Sequence, residues 1–172
     1  DREPNRIQER IESSDIAALK PYHLLAKGND DTWQLRPGEY VPQWAWECAA
    51  DHEMAIVLHL VRDGALADGD NQRYIRRQCR DYPGARLVLA HAGRGFHAPN
   101  TSEGIQALGG LDNVWFDSSG ICEPEPLLAI LEQFGPLRLL FGTDFPVSQL
   151  HGRAVTVGDG CAWLRSDSLN PA

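Results

Sequence analysis

The sequence predicts an α/β fold in which helices connect the strands of one parallel sheet. Apolar runs alternate with helical patterns at intervals of roughly 30 residues, the length of a strand, crossover helix and strand unit. The runs are continuously apolar, as in Leu87-Val-Leu-Ala90. Strands covered by helices on both faces have this pattern. With 172 residues, 42% of them hydrophobic, the chain can form one domain with a core.

The first half of the chain is predicted to contain two helices and two strands. Ile7 and Ile11 share the apolar side of the first helix, and Pro21 indicates an edge strand or a strand end. A polar, turn-rich stretch separates the first strand from the second helix. The predicted elements are a helix at 1–15, a strand at 16–25, a loop at 26–38, a helix at 40–51 and a strand at 54–61.

The second half continues the alternation and brings the number of predicted strands to five. Asn100 and Glu103 have the spacing of a capping box, and the prolines after Glu123 suit the first turn of a helix. The predicted elements are helices at 70–82, 100–108 and 123–134, strands at 85–92, 113–117 and 137–142, and a final helix at 159–167.

Polar side chains stand where three of these apolar runs end. His59 follows Ala-Ile-Val-Leu, His91 follows Leu-Val-Leu-Ala, and Asp144 follows Leu-Leu-Phe-Gly-Thr. Chemistry in parallel α/β folds sits at the carboxyl ends of strands, and imidazole and carboxylate groups bind divalent metals. The pattern predicts a metal site. The alternatives are core histidines bonded to backbone carbonyls and a turn aspartate before Pro146.

Four further residues are weaker candidates for binding substrate or orienting a ligand. Lys20 and His23 lie on the first predicted strand, and Arg94 stands between two glycines, where it could bind an anionic group or remain solvated. Asp117 ends a strand and either orients a ligand histidine or caps the next loop. Trp33 is assigned to the core or a lid, and Ser119 has no nucleophile-elbow pattern around it.

Composition excludes several classes of partner. The net charge of −8 gives no basic surface for nucleic acid or an anionic membrane. No apolar run approaches the roughly 20 residues of a transmembrane helix, and the charged start does not resemble a signal peptide. The four cysteines are irregularly spaced, which favours free thiols in a reducing compartment. We therefore expect a cytoplasmic protein with a small-molecule substrate.

Several motifs, in this order, resemble one known family. They are KPYHLLA, IVLHL, LVLAHAGRGF, VWFDSSG, LLFGTDFP and HGRAVTVGDGCAWL, and they extend over about residues 15 to 165. The chain resembles the amidohydrolase-related branch of the metal-dependent amidohydrolase superfamily. The resemblance implies that residues 1–172 form a single domain holding about strands four to eight of a (β/α)₈ barrel. Strands one to three, with their His-x-His metal ligands, are expected in the parent protein and do not occur in this sequence.

The same resemblance assigns roles to three residues. His59 matches the strand-five metal ligand, His91 the strand-six histidine and Asp144 the strand-eight aspartate. A divalent metal, zinc or else manganese, would activate water, with Asp144 as ligand and general base and His91 polarising the scissile carbonyl or positioning the water.

The implied reaction is hydrolysis of an amide, ester or lactone in a small molecule. One rival is nonoxidative decarboxylation of a small aromatic acid, which the resembled family also catalyses with the same metal site. The other is a non-catalytic, truncated half-barrel. An exposed edge of such a half-barrel favours association into a homo-oligomer.

Overall fold

Five short parallel strands form the centre of the protein in a computed structural model, which describes residues 4–13, 16–26, 28 and 31–166. Neighbours in the sheet are also neighbours along the chain, so all carboxyl ends meet at one edge. The predicted α/β class with a parallel sheet is confirmed. The strands are β1 (Ala18–Leu19), β2 (Ala55–Leu58), β3 (Arg86–Leu89), β4 (Val114–Asp117) and β5 (Leu139–Leu140).

Helices and single helical turns connect the strands. No helix of the described part is both long and apolar enough to cross a bilayer. The helices are α1 (Pro4–Ser13), α2 (Pro37–Tyr40), α3 (Gln43–Asp51), α4 (Gly69–Asp81), α6 (Ala98–Gly104) and α7 (Glu125–Phe134), and the short segment α5 (Ala90–Arg94) has left-handed dihedrals at its three central residues. The 3₁₀ turns are His23–Leu25, Thr32–Gln34, Ala65–Ala67, Ile105–Leu108, Pro136–Arg138 and Val147–Gln149.

The core lies between the central strands and the helices that cover them. Ile56 and Leu58 of β2 and Leu87 and Leu89 of β3 are fully buried, and Ile75 of α4 packs in the same cluster. Burying each such side chain contributes about 1.5–3 kcal/mol. This rigid centre fixes the strand ends from which the candidate site is built.

The strands are shorter than the sequence predicts. The strand predicted at 16–25 is confined to Ala18–Leu19, and His23 lies in a 3₁₀ turn beyond it. Pro21 has no N–H to continue the ladder, so the interpretation of this proline as a strand end is confirmed. The strand predicted at 85–92 stops at Leu89, where the backbone enters a left-handed turn.

Two predicted helix starts are wrong. Pro42 divides the helix predicted at 40–51 into α2 and α3. The capping box at Asn100 does not form, because the helix already begins at Ala98 with His97 as its N-cap residue. The Asn100 side chain donates instead to the Asp63 carbonyl, at 2.7 Å. Proline is favoured in the first turn of a helix, so Pro99 accounts for a helix start closer to the amino terminus than predicted.

The predicted final helix at 159–167 is wrong, since the chain forms an antiparallel hairpin there. Its strands are β6 (Gly152–Val157) and β7 (Gly160–Arg165), joined through Gly158 at φ 55°. The β-branched run Val155-Thr-Val157 favours this structure. Thr156 connects the hairpin to the rest of the protein. Its Oγ1 donates to the Glu123 carboxylate at 2.5 Å and accepts from Ala98 N at 3.0 Å.

The other predicted helices agree with the structure. The helix at 70–82 corresponds to α4, whose N-cap Asp68 accepts from Asp70 N and Asn71 N at 2.9 and 3.1 Å. The helix at 1–15 is confirmed for α1. Of the predicted segments, positions 1–3, 14, 15, 27, 29, 30 and 167 lie outside the described residues.

A close backbone approach in α6 provides a test of the packing around the site. A Cβ on Gly104 would lie 2.5 Å from the Leu66 carbonyl oxygen. Gly104→Ala should therefore lower the free energy of unfolding by about 2 kcal/mol, measured by urea denaturation. The matched control is Gly160→Ala, which meets no atom within 4 Å. Equal effects of the two substitutions would contradict the described packing.

Candidate active site

Three histidines from successive strands lie together at the carboxyl edge of the sheet. His59 directly follows β2, His91 follows β3, and His23 lies in the turn after β1. The ring centroids of His23 and His59 are 5.7 Å apart with planes 18° from parallel, and those of His59 and His91 are 5.0 Å apart. The structure thus brings together the two predicted strand-end histidines and His23, a weaker candidate.

His59 is held in a dry environment with one ring nitrogen unpaired. Only 8% of the residue is exposed, and its buried Nε2 has no hydrogen-bond partner. The Tyr40 hydroxyl donates to the His59 carbonyl at 2.8 Å, which fixes the backbone. Burial, followed by the nearby charges of His91, His23, Arg94 and Lys20, lowers the pKa of His59 to about 3. The imidazole is therefore neutral at physiological pH.

His23, in the 3₁₀ turn after the neighbouring strand β1, is also a buried histidine with one unpaired ring nitrogen. It is fully buried, and its Nδ1 lies 3.1 Å from the Thr32 carbonyl oxygen. A carbonyl oxygen only accepts, so this contact assigns the ring proton to Nδ1 and the lone pair to Nε2. That Nε2 is buried without a partner. Burial is the main cause that lowers the pKa of His23, with Arg94 acting in the same direction.

His91 is positioned by a left-handed turn and by Asp117. His91, Ala92 and Gly93 have φ values of 56°, 52° and 71°. Such dihedrals cost about 1–2 kcal/mol for each residue other than glycine, so the surroundings must stabilise them. The Asp117 carboxylate accepts from His91 N at 2.9 Å and from Ser119 N at 3.0 Å. Ser119 in turn holds His91 Nδ1, with Oγ at 2.9 Å.

Arg94 and Trp33 close one side of the histidine cluster. The Arg94 guanidinium lies over the Trp33 ring, 5.6 Å from its centroid, and donates to the Arg62 carbonyl. The Trp33 ring is centred 4.5 Å from that of His23. Lys20 is exposed, yet close enough for its charge to contribute to the lowered pKa of His59. Positive charge therefore borders the neutral imidazoles, an arrangement suited to an anionic substrate group.

Asp144 lies in a turn four residues beyond β5, and the structure does not join it to the histidines in a metal-holding group. It is half-buried at φ 53°, and its carbonyl accepts from Ser148 N at 3.3 Å. Within residues 4–13, 16–26, 28 and 31–166, no group of three His, Cys, Asp or Glu side chains could hold a metal ion. β5 has only two residues, so the chain leaves the sheet well before Asp144. Its role as a metal ligand stays a prediction.

Sequence reasoning missed two residues that the site uses. Ser119 was considered only as a nucleophile, whereas it links Asp117 to the His91 ring. The signal was available, because Ser119 follows a strand-end aspartate by two residues, the spacing of an Asx turn. Trp33 was assigned to the core or a lid, although it contacts both His23 and Arg94. No local pattern marks that contact, which depends on the loop after β1.

Comparison with a family of known proteins agrees with this arrangement. Residues 21–161 match the family model described as "Amidohydrolase". Among curated proteins, L-fucono-1,5-lactonase from Burkholderia ambifaria is 31% identical over 125 residues, covering 64% of this chain and 42% of the lactonase. The chain thus spans well under two thirds of that relative's length.

Solved structures show the same fold. An amidohydrolase from Burkholderia multivorans superposes with a TM-score of 0.59 at 20% identity, covering 84% of this chain and 56% of that one. A second crystal form of it contains zinc and gives 0.55 at 19% identity, covering 90% and 57%. A 2,6-dihydroxybenzoate decarboxylase from Rhizobium gives 0.52 at 16% identity, covering 84% and 56%. The sheet is thus part of a (β/α)₈ barrel, as the sequence predicts.

The buried neutral state of His59 has a consequence for stability. Its pKa of about 3 in the folded protein lies below 6.5, the ordinary value of a histidine. As the pH falls, the His59 imidazole is therefore protonated in the unfolded chain at a higher pH than in the folded protein. The stabilisation is complete above pH 6.5 and is lost as the pH falls toward 3. From pH 7.5 to pH 5 we expect a loss of about 2 kcal/mol from this residue, measured by urea denaturation.

The matched variant for this pH dependence is His59→Gln, which cannot titrate. It should show a smaller loss of stability over the same range than the unaltered chain, while His151→Gln, at an exposed histidine, should leave the loss unchanged. An identical pH dependence in His59→Gln would show that His59 is not held neutral by burial.

Proposed function

The chain belongs to the amidohydrolase family, and from that premise we propose that it is part of a metal-dependent hydrolase that opens a lactone of a small molecule. The observation that carries the proposal is the pair of buried, unpartnered imidazole nitrogens on His23 and His59 beside His91. The lactonase relative supports a C–O bond in a lactone, within a wider class of amide, ester and lactone substrates.

The donor set suits a divalent ion, most directly zinc, with manganese as the alternative. A neutral histidine whose buried Nε2 lacks any partner is what a metal ligand looks like when its ion is removed. We assign His59 and Asp144 as ligands, and the zinc-containing Burkholderia multivorans structure supports the choice of metal. When bound, the ion would supply Lewis acidity and lower the pKa of a water molecule.

The remaining catalytic roles are assigned to three side chains of this chain. Because Nδ1 of His91 donates to the Ser119 carbonyl oxygen, Nε2 of the neutral ring carries the lone pair and is the nitrogen left to accept a hydrogen bond from the attacking water and position it. The Asp144 carboxylate accepts the proton from the attacking water. Asp117 keeps the His91 turn in place through the backbone N–H.

Decarboxylation of a small aromatic acid is the second candidate, and Arg94 is the observation that favours it. Its guanidinium lies beside the imidazole cluster and over Trp33, where a carboxylate could pair with it and an aromatic ring could stack. The hydrolase remains the leading proposal because the lactonase relative matches in sequence as well as in fold.

The proposal also includes the cellular compartment of the protein and the association of its copies. We assign the protein to the cytoplasm, which the four free thiols support, and to small-molecule rather than nucleic-acid chemistry. We also propose, from the sequence, that copies associate into a homo-oligomer. Leu137 and Phe141, 87% and 89% exposed at the β5 edge, lie where the first strand of a closed (β/α)₈ barrel pairs. An unpaired sheet edge with exposed apolar side chains favours pairing with another chain.

Hydrolysis of sugar lactones tests the main proposal. With an added divalent metal, the complete barrel that contains this chain should open 1,5-lactones, followed by a pH indicator, and His59→Ala should lower kcat/KM by at least about 100-fold. His151→Gln is the matched control, and it should retain activity. No lactone, ester or amide hydrolysis by the metal-loaded protein would overturn the hydrolase proposal.

Arg94 separates the two reactions. If decarboxylation is the activity, the protein releases carbon dioxide from hydroxybenzoates, and Arg94→Gln raises KM for these acids by about tenfold or more. Toward an uncharged lactone the same substitution should change kcat/KM by less than about threefold. Carbon dioxide release that is insensitive to Arg94→Gln would remove the specific support for the second candidate.

A further inference from the structure

We propose that Trp163, on the β6–β7 hairpin, is a positioning residue for His91 and acts on it through the ring of Phe96. The hairpin carries the motif HGRAVTVGDGCAWL, to which the proposed function gives no role. The inference rests on that function, because it concerns the orientation of the histidine that positions the attacking water.

The hairpin turns one of its two faces toward the rest of the protein. Side chains alternate between the faces along a strand and ladder partners share a face, so Ala154 and Thr156 of β6 lie on the same face as Trp163 of β7. Ala154 is 2% exposed, and Thr156 is bonded to Glu123. Trp163 therefore lies on the docked face, and Leu164, the next residue, lies on the opposite face.

Hydrogen bonds fix the docked hairpin at two places. The Glu123 carboxylate accepts from Thr156 N at 3.1 Å and from its hydroxyl at 2.5 Å, and that hydroxyl accepts from Ala98 N at 3.0 Å. A ring nitrogen of His97 lies 3.1 Å from a backbone carbonyl oxygen at the hairpin tip, which can only accept. The hairpin is thus held against the two residues that directly follow Phe96.

Phe96 joins the hairpin to the histidine. The ring centroids of Trp163 and Phe96 are 5.1 Å apart with planes at 61°, and those of Phe96 and His91 are 5.2 Å apart. Both separations lie in the range of favourable aromatic pairs. A Cβ on Gly120 would lie 3.2 Å from Phe96 Cε1 and 3.7 Å from His91 Nδ1, so the turn after β4 also packs closely on both rings.

A hydrogen bond alone does not fix the orientation of the His91 ring. Its Nδ1 donates to the Ser119 carbonyl oxygen at 3.0 Å, which restrains one ring atom and leaves the tilt about that contact free. The rings of His59 and Phe96 limit this tilt, with centroids 5.0 and 5.2 Å from that of His91. Phe96 is itself partly exposed, so its ring gains room to turn away when Trp163 is removed. Loss of Trp163 should therefore misdirect the Nε2 that positions the water.

Steady-state kinetics of the complete barrel that contains this chain test the inference. Trp163→Ala should lower kcat for 1,5-lactones by about 10- to 100-fold and change KM by less than about threefold, because the water is misplaced and the substrate is not. Trp163→Phe keeps an aromatic ring and should retain kcat within about threefold. The matched control is Leu164→Ala, which removes an apolar side chain from the opposite face and should leave both constants unchanged. Equal losses of kcat in Trp163→Ala and Leu164→Ala would overturn the inference.

A double-mutant cycle tests whether Trp163 acts through Phe96. In a Phe96→Ala background, Trp163→Ala should lower kcat by less than about threefold further, because the contact that it removes is already lost. A further loss as large as that in the unaltered background would overturn the inference.

Nuclear magnetic resonance of ¹³C-labelled histidine rings provides a measurement that does not depend on turnover. The His91 ring signal, identified by its loss in His91→Gln, should shift or broaden in Trp163→Ala, whereas the signal of the exposed His151 should stay in place. An unchanged His91 signal in Trp163→Ala that is folded by circular dichroism would overturn the inference. If that signal moves and the complete barrel hydrolyses no lactone, the proposed function fails and the positioning of the ring stands. Hydrolysis that Trp163→Ala leaves unchanged would refute the positioning role alone.

Discussion

The exclusion of water from His59 is the constraint on which the rest of the site depends. A buried imidazole keeps its lone pair only if no proton reaches it, and burial lowers its pKa to about 3. The parallel register produces this burial. Leu58 pairs with Leu89, and Leu89 with Phe116, so the residues that follow these strands emerge at the same edge.

The backbone around His91 shows how the fold supports that arrangement. A left-handed turn directly after β3 is unfavourable, yet it turns the His91 ring toward Ser119. The Asp117 carboxylate bonds both His91 N and Ser119 N, so one side chain stabilises the turn and the ring that it carries. Phe96 lies against His91 and Trp163 of β7, which joins the hairpin to the same cluster.

The sequence predicts the parts of this structure that depend on local pattern. Continuous apolar runs identify β2 and β3 and place His59 and His91 correctly at their ends, because strand direction alone decides which end carries them. The place of His23 beside His59 could not be read in the same way, since it depends on a loop that folds Thr32 back onto the ring. The final hairpin was missed because Ala162, Trp163 and Leu164 fit a helical spacing as well as a strand.

The position of the Asp144 side chain could not be predicted from local sequence pattern. Its place after an apolar run and its match to a family motif both predict a ligand, but β5 is short and its flanking residues Phe141 and Phe145 are largely exposed. Little packing therefore holds the carboxylate in the described arrangement. The histidines, by contrast, are fixed by the core on three adjacent strands, so they form the more rigid half of the proposed site.

Anomalous X-ray diffraction at the zinc edge, from crystals of the full chain grown with Zn²⁺, tests the central claim most directly. The account predicts one strong peak within bonding distance of the His59 Nε2, at about 2.0–2.1 Å. A peak placed elsewhere, or an ordered water at this nitrogen in zinc-saturated crystals, would contradict it.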